Sequence, residues 1–275
     1  MTPGEMTEGA LRSHDMMRRV FILLFLMSGM GASFAGPEAK TSKRPKPMLV
    51  ANYYVWYRSG KASSDPYAGW IRPGRQKPLP PGARKHGPTG EPAIASMAYP
   101  VAGLYDSRNT KIAQWHVKLA QAAGIDAFLV SWWEKHKGRD QAWEKGILAA
   151  AERRGFKIAL LDERAQFHRD FDWYKESLTK ALSRFKSSPA YLRIENKPVV
   201  YLYQVAVKAT LTPAKFLELK KQVEGKHGPV YWIVDKIAHD HAAAREGEAD
   251  KIKRIPDAWL KTPGIDCFGF YSTFS

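Results

Sequence analysis

Aromatic side chains and carboxylates recur where six short β-rich runs of this sequence end. Met48–Tyr57 closes on Tyr53, Tyr54, Trp56 and Tyr57, and Ile125–Trp133 closes on Trp132 and Trp133 with Glu134 next. Lys157–Glu163 ends on Asp162 and Glu163, and Pro198–Gln204 brings Tyr201, Tyr203 and Gln204. Pro229–Asp235 ends on Asp235, and Ile265–Phe274 carries Phe270, Tyr271 and Ser272. Aromatic faces stack on the apolar faces of sugar rings, and carboxylates accept hydrogen bonds from hydroxyls. Carboxylates also do the acid, base and nucleophile work of glycosidic cleavage. A single buried aromatic is most simply core; the whole set at strand ends is harder to assign to packing. Asp162 and Glu163 look like a carboxylate pair, but successive strand residues point to opposite faces. Only one of them should face a site.

Other constellations are weaker. His239-Asp240-His241 offers two metal ligands without an identifiable third, and reads as a solvated helix start. Ser131 has no nucleophile context. His116 lies near the apolar side of a helix, where packing or a buried hydrogen bond is the default.

The elements between the runs are helical. Asp106–Ala123 places Ile112, Trp115 and Leu119 on one face, with Asp106 or Ser107 as cap and Gly124 as stop. Asp140 opens a second helix with Trp143, Ile147 and Ala151 inward, closed by Gly155. A third spans about Phe171–Phe185. A fourth starts at Thr212-Pro213, a cap followed by proline in the first turn, and ends at Gly225. Asp240–Leu260 also reads as helical. Strand–helix alternation means α/β with a parallel sheet, and near-continuous apolar runs suit strands buried on both faces. After the first run the strands start about 31 to 41 residues apart. That spacing suits a (β/α)8 barrel of the TIM type, with an open doubly wound sheet as the alternative. No glycine-rich phosphate loop follows any strand, which weakens a nucleotide-binding reading. In a barrel the strand C-termini carry the site. The segment Arg58–Met97, 40 residues rich in proline and glycine, would lie on that same face.

The 275 residues are 44% hydrophobic and 25% charged, which excludes a disordered tail or a coiled coil. Cys267 is the sole cysteine, so neither an internal disulfide nor a cysteine zinc site is possible. Arg18 and Arg19 precede the apolar run Val20–Met27 and the small-residue stretch Ser28–Ala35. Residues 1–35 therefore read as a signal peptide, too short in its apolar core for a permanent membrane span. Residues 36–47 read as a basic linker and 48–275 as the folded domain, secreted or periplasmic. The net charge of +16 comes from scattered lysines and arginines with no nucleic-acid motif. A solvated basic surface is the first explanation, and an acidic polysaccharide or anionic envelope surface the second. No nucleic-acid partner is expected.

Three segments resemble the glycoside hydrolase 71/99-like group, which includes endo-α-mannosidases. The first is Asn52-Tyr53-Tyr54-Val55-Trp56-Tyr57, similar to that group's Tyr-Tyr-x-Trp-Tyr strand. The second runs from Tyr99-Pro100-Val101-Ala102-Gly103-Leu104-Tyr105-Asp106-Ser107 through Trp115-His116 to Ala123-Gly124-Ile125-Asp126 and Ser131-Trp132-Trp133. The third is Tyr191-Leu192-Arg193 with Lys197-Pro198-Val199-Val200-Tyr201-Leu202-Tyr203. The resemblance spans roughly 48 to 275. It implies an α/β (β/α)8 glycosidase acting on α-mannoside-type or related oligo- or polysaccharides, by a retaining mechanism with no metal or cofactor. By position, it implies that Glu163 engages the reacting sugar and assists through the 2-hydroxyl. Tyr54, Trp56, Tyr105 and Trp133 would line sugar subsites, alongside the other strand-end residues Tyr53, Tyr57, Trp132, Glu134 and Tyr203. Two departures stand out. Asp162-Glu163-Arg164-Ala165 replaces the group's Ile-Glu-Pro-Tyr, and the group's Glu-Trp-x-Glu segment, which carries its two remaining catalytic carboxylates, is absent. Six of eight repeats are recognisable, so the expectation is an incomplete barrel, an N-terminal portion with little or no turnover. The rival is a non-catalytic carbohydrate-binding or basic envelope-associated protein.

Overall fold

In a computed structural model of the chain, the described residues are 47–59, 69–70, 94, 99–133, 137–164, 170–203, 211–235 and 257–269. All belong to the unit Pro47–Ser275. Residues 1–46, which hold the signal and all of the linker but Pro47, together with Glu134, His239, His241, Gln204, most of Arg58–Met97 and residues 270–275, lie outside the described residues.

The β-rich runs all become strands, shorter than the runs themselves. They are β1 (Val50–Tyr53), β2 (Ala127–Trp132), β3 (Lys157–Asp162), β5 (Lys197–Leu202), β6 (Tyr231–Asp235) and β7 (Cys267–Gly269). A two-residue strand the sequence reading did not separate, β4 (Arg193–Ile194), pairs antiparallel with β5. Glu195 and Asn196 make that tight turn, both at positive φ, the conformation that a two-residue hairpin requires.

The six other strands are parallel in the order β1-β2-β3-β5-β6-β7. That order decides between the two α/β architectures. A doubly wound sheet reverses its strand order at a switch point. Here every crossover steps in the same direction, and right-handed crossovers then put all the helices on one side. The result is a six-stranded parallel half-barrel, the architecture of part of a (β/α)8 barrel. One sheet side is covered by helices, and the other is the barrel interior.

The helices are α1 (Thr110–Ala122), α2 (Lys137–Gln141), α3 (Ala149–Arg154), α4 (Phe171–Phe185), α5 (Pro213–His227) and α6 (Asp257–Leu260), with a π-helical segment Ala142–Leu148 joining α2 to α3. Trp143, Ile147 and Ala151 are inward, and Gly155 closes α3 in the left-handed conformation. α4 has the predicted bounds, with Asp170 Oδ1 accepting from the Trp173 amide at 3.0 Å. Thr212 caps α5 as predicted, but the helix passes through Gly225 and stops before Gly228.

α1 departs from the sequence reading. Its cap is Asn109, because Asp106 is engaged by the Arg108 guanidinium and amide. Its buried face is Ala113, Val117 and Ala120, while Trp115 and Leu119 are exposed. The small face has a reason. A Cβ on Gly146 would sit 3.1 Å from the Ser107 carbonyl and 4.0 Å from Ala113 Cβ, so the π-helical segment approaches α1 too closely for the large apolar side chains to lie between them.

Candidate functional site

The geometry is organised by parity at the strand ends. On β2, Ser131 and Trp133 share one side and Trp132 takes the other. On β3, Glu163 follows the first side and Asp162 the second.

Glu163 is buried and faces the barrel interior. Its Oε2 accepts from Ser131 Oγ at 2.6 Å and from Trp133 Nε1 at 2.6 Å. The Trp133 indole also reaches Ser131 Oγ at 3.2 Å. Both of these bonds go to Oε2, and no described residue hydrogen-bonds Oε1. Burial pushes the Glu163 carboxyl above the usual carboxylate range. The Ser131 and Trp133 donors and the Arg139 charge hold it back, and Asp162 adds to the rise.

Around this carboxylate stand three further groups. Arg139, on α2, lies over the Trp133 ring at 5.2 Å and over the Trp56 ring at 5.8 Å. Tyr54 stacks on Trp56 with centroids 4.5 Å apart, and its hydroxyl is buried with no partner among the described residues. Tyr203 follows β5 on the interior parity. Its phenol is pushed up to about 12, first by burial and then by the Glu163 and Asp235 charges. Asp235, at the C-terminal end of β6, is buried on the same side as Tyr201. Gly269 makes room there, since a Cβ would come 2.5 Å from the Tyr201 ring.

The other parity is structural. Asp162 is fully buried and accepts from Arg164 Nε at 3.0 Å, from Arg164 Nη2 at 3.1 Å and from the Arg164 amide at 3.0 Å. The guanidinium stacks on Trp132 at 3.9 Å and also donates to Ser177 of α4. Trp132, expected to bind substrate, has its ring packed under Arg164 on the helix side, because β2 alternation turns it away from Glu163. Tyr53 lies on that side too. Its ring stacks on Phe128 at 4.9 Å and its hydroxyl meets His116 Nδ1 at 2.9 Å, between sheet and α1. A cavity of about 350 Å³ opens beside that pair, lined by Tyr53, Tyr105, His116, Leu119 and Phe128 on the side away from Glu163.

Tyr57 and Tyr105 form a third cluster. The Tyr57 ring lies 4.2 Å from Trp70, and Tyr105 lies 4.9 Å from both Trp70 and His116. Trp70 Nε1 donates to the Tyr105 carbonyl at 2.9 Å, fastening part of the long segment to the start of α1. Of the sequence-selected residues, the structure thus gathers Glu163, Trp133, Trp56, Tyr54 and Tyr203. It places Tyr53 and Trp132 elsewhere and Tyr57 with Tyr105 in a neighbouring aromatic cluster.

Sequence reasoning missed Ser131 as a clamp and Arg139 altogether. The period of two from Trp133 to Ser131 could have identified Ser131. Nothing local marks Arg139 among its basic neighbours.

Comparison with known proteins bears on the family and the fold. The model of glycosyl hydrolase family 99 matches residues 46–224. The glycoprotein endo-alpha-1,2-mannosidase of Mus musculus is 24% identical over 169 residues, covering 56% of this chain and 36% of the mouse protein. The Rattus norvegicus protein of the same name is 24% identical over 188 residues, 61% of this chain and 38% of its own length. The chain thus spans little more than a third of these curated relatives. Among solved structures, the GH99 endo-alpha-mannosidase from Bacteroides thetaiotaomicron in complex with bis-tris-propane superposes with a TM-score of 0.56 at 19% identity, over 82% of this chain and 58% of that one. A second structure of that enzyme gives 0.54 at 21% identity, over 73% and 58%. At these identities the likeness shows the fold.

Proposed function

Because the chain belongs to glycosyl hydrolase family 99, we propose that its interior face binds the reacting sugar of an α-mannoside-type glycan, with Glu163 at the sugar's 2-hydroxyl. The observation that carries this is the Glu163 carboxylate, held through Oε2 by Ser131 and Trp133 while no described residue bonds Oε1. Two donors on Oε2 restrict the orientation of the carboxylate. Its raised proton affinity suits it to draw a proton from a hydroxyl, as general-base assistance requires. Tyr54, through the face turned away from Trp56, and Trp133, through the face turned away from Arg139, would supply aromatic surface for the ring. The buried Tyr54 hydroxyl supplies a group that a sugar hydroxyl would satisfy. The family's reaction would follow the retaining course, with Glu163 in the assisting role.

A second reading, a non-catalytic glycan-binding protein, rests on one observation: no Glu-Trp-x-Glu segment occurs in these 275 residues. Binding with weak or absent turnover is accordingly the expected behaviour of the chain. Export is proposed from the basic, apolar and small-residue order of residues 1–35. No described helix is long and apolar enough to cross a membrane. The test is calorimetric titration with α-1,2-mannobiose, alongside reducing-end release from a mannan. Binding that Glu163→Gln weakens about tenfold or more, roughly 1.4 kcal/mol, supports the site. Undiminished binding by that variant overturns it, and robust release by the chain overturns the expectation of weak turnover.

A further inference from the structure

Arg139 is the one described cation that reaches the Glu163 site, and its surroundings are unusual for an arginine. Its guanidinium lies over two indoles, Trp133 at 5.2 Å and Trp56 at 5.8 Å. Among the described residues it forms neither an ion pair nor a hydrogen bond. Stacking of this kind fixes the plane of the fork while leaving its edge donors unused. Glu163 does not use them, because its bonds come from Ser131 and Trp133.

Arg58 makes the case stronger. It follows β1 at the end of the sheet where β2 leads into α2. Two guanidinium groups at one end of the sheet, neither ion-paired to a described carboxylate, are a charge arrangement that a bound anion would complement. The preference of guanidinium for carboxylate and phosphate oxygens, often bidentate, gives the chemistry of that anion. The wider charge, 43 lysines and arginines against 27 acids, would draw such a ligand inward.

We propose that Arg139, with Arg58, is an oxyanion subsite that selects glycans bearing a carboxylate or phosphate substituent on the sugar next to the one held at Glu163. The proposal rests on the glycan reading above and adds a substrate class to it. The Trp133 indole sets the layout. Its Nε1 edge serves Glu163 and its face carries Arg139, so a sugar stacked beside it would present one hydroxyl to Glu163 and its acidic group to the guanidinium. A negative substituent placed there is shielded from Glu163 by the cation between them.

The experiment is calorimetry on the full chain with three probes: α-1,2-mannobiose, the same disaccharide phosphorylated at the non-reducing 6-position, and glucuronosyl-α-1,2-mannose. The expected result is that at least one acidic probe binds about tenfold or more tighter than the neutral one, a gap of roughly 1.4 kcal/mol. The gap should shrink in about 0.5 M salt, and the better acidic probe distinguishes a phosphate from a uronate. Arg139→Gln should bring the acidic-to-neutral ratio close to one, whatever it does to affinity overall. Arg139→Lys should keep part of the ratio, and Arg58→Gln should lower it by a smaller factor. Circular dichroism and thermal midpoints check that each variant is folded. Equal affinity for all three probes, or a ratio that survives Arg139→Gln, overturns the oxyanion subsite and leaves the glycan site standing. Binding of none of the three overturns both.

Discussion

Asp162 and Glu163 are neighbours in sequence, both buried carboxylates at the end of the same strand. They have opposite fates. Asp162 turns to the helix side, where Arg164 occupies both of its oxygens and Trp132 and Ser177 hold the guanidinium. Glu163 turns to the interior, where two neutral donors take a single oxygen. A carboxylate paired with a buried cation is chemically quiet. One held only by neutral donors keeps a spare acceptor and a raised proton affinity. The aromatics divide along the same line, with Tyr53 and Trp132 in the helix layer and Tyr54, Trp56 and Trp133 toward the interior. Strand parity, rather than residue type, separates the helix-side residues from the interior ones.

The largest effect expected from breaking this contrast is at Asp162. Asp162→Ala strands the Arg164 charge in the core, and urea unfolding should show a loss of about 3–5 kcal/mol. Replacing the pair together, Asp162→Leu with Arg164→Met, should recover most of it. A loss under about 1 kcal/mol from Asp162→Ala would place the pair with surface ion pairs instead and erase the contrast.

Glu163→Gln should behave in the opposite way, weakening glycan binding while keeping or raising stability. The folded protein holds the Glu163 proton more tightly than the unfolded chain, because burial raises its value from the ordinary 4.5. The charged form therefore costs stability, not at all below that ordinary value and increasingly as pH rises through the raised one. Thermal midpoints should accordingly show Glu163→Gln gaining more at pH 7 than at pH 4. An equal change at both pH values would remove the desolvation argument.

Ser131→Ala tests the clamp. It should cost roughly 1 kcal/mol of glycan affinity, and carbon-13 titration should find the Glu163 carboxyl moved further up, since the lost donor had been lowering it. An unmoved titration would mean that Trp133 alone holds Oε2.

The smallest effect is expected at Tyr53→Phe, about 0.5–1.5 kcal/mol of stability from the lost His116 bond with glycan affinity unchanged. A fall in affinity would return Tyr53 to the site. His116 itself is held neutral, its value lowered from 6.5 by burial. The stability this gives is present above 6.5 and lost as pH falls through the lowered value. His116→Gln should flatten that acid limb.

The strands and most helices were legible because their signals are local. Apolar runs marked β2, β3 and β5, a capping Asp170 and the apolar period marked α4, and Gly155 marked the end of α3. The inward face of α1 was not legible. Trp115 and Leu119 have the larger apolar surface, yet Ala113, Val117 and Ala120 are buried because the π-helical segment lies so close. Glu163 could be chosen from sequence by resemblance and by the alternation rule. The period of two puts Ser131 on the side of Trp133, but its bond to Glu163 was not legible, since it depends on β2 and β3 pairing Ser131 with Leu161 and Trp132 with Asp162, a register that sets Ser131 and Trp133 beside Glu163.

By itself, the sequence determined the α/β alternation, the family and the aromatic and acidic content of the strand ends. Hydrophobic period, turn residues and strand spacing act over a few residues and survive in a linear reading. Tertiary structure alone decided which of two adjacent carboxylates is free, which aromatics surround it, and that Arg139 stands over Trp56 and Trp133. Those facts depend on contacts between elements tens of residues apart. No local property of Arg139 distinguishes it from the other basic residues until α2 is packed against the strand ends.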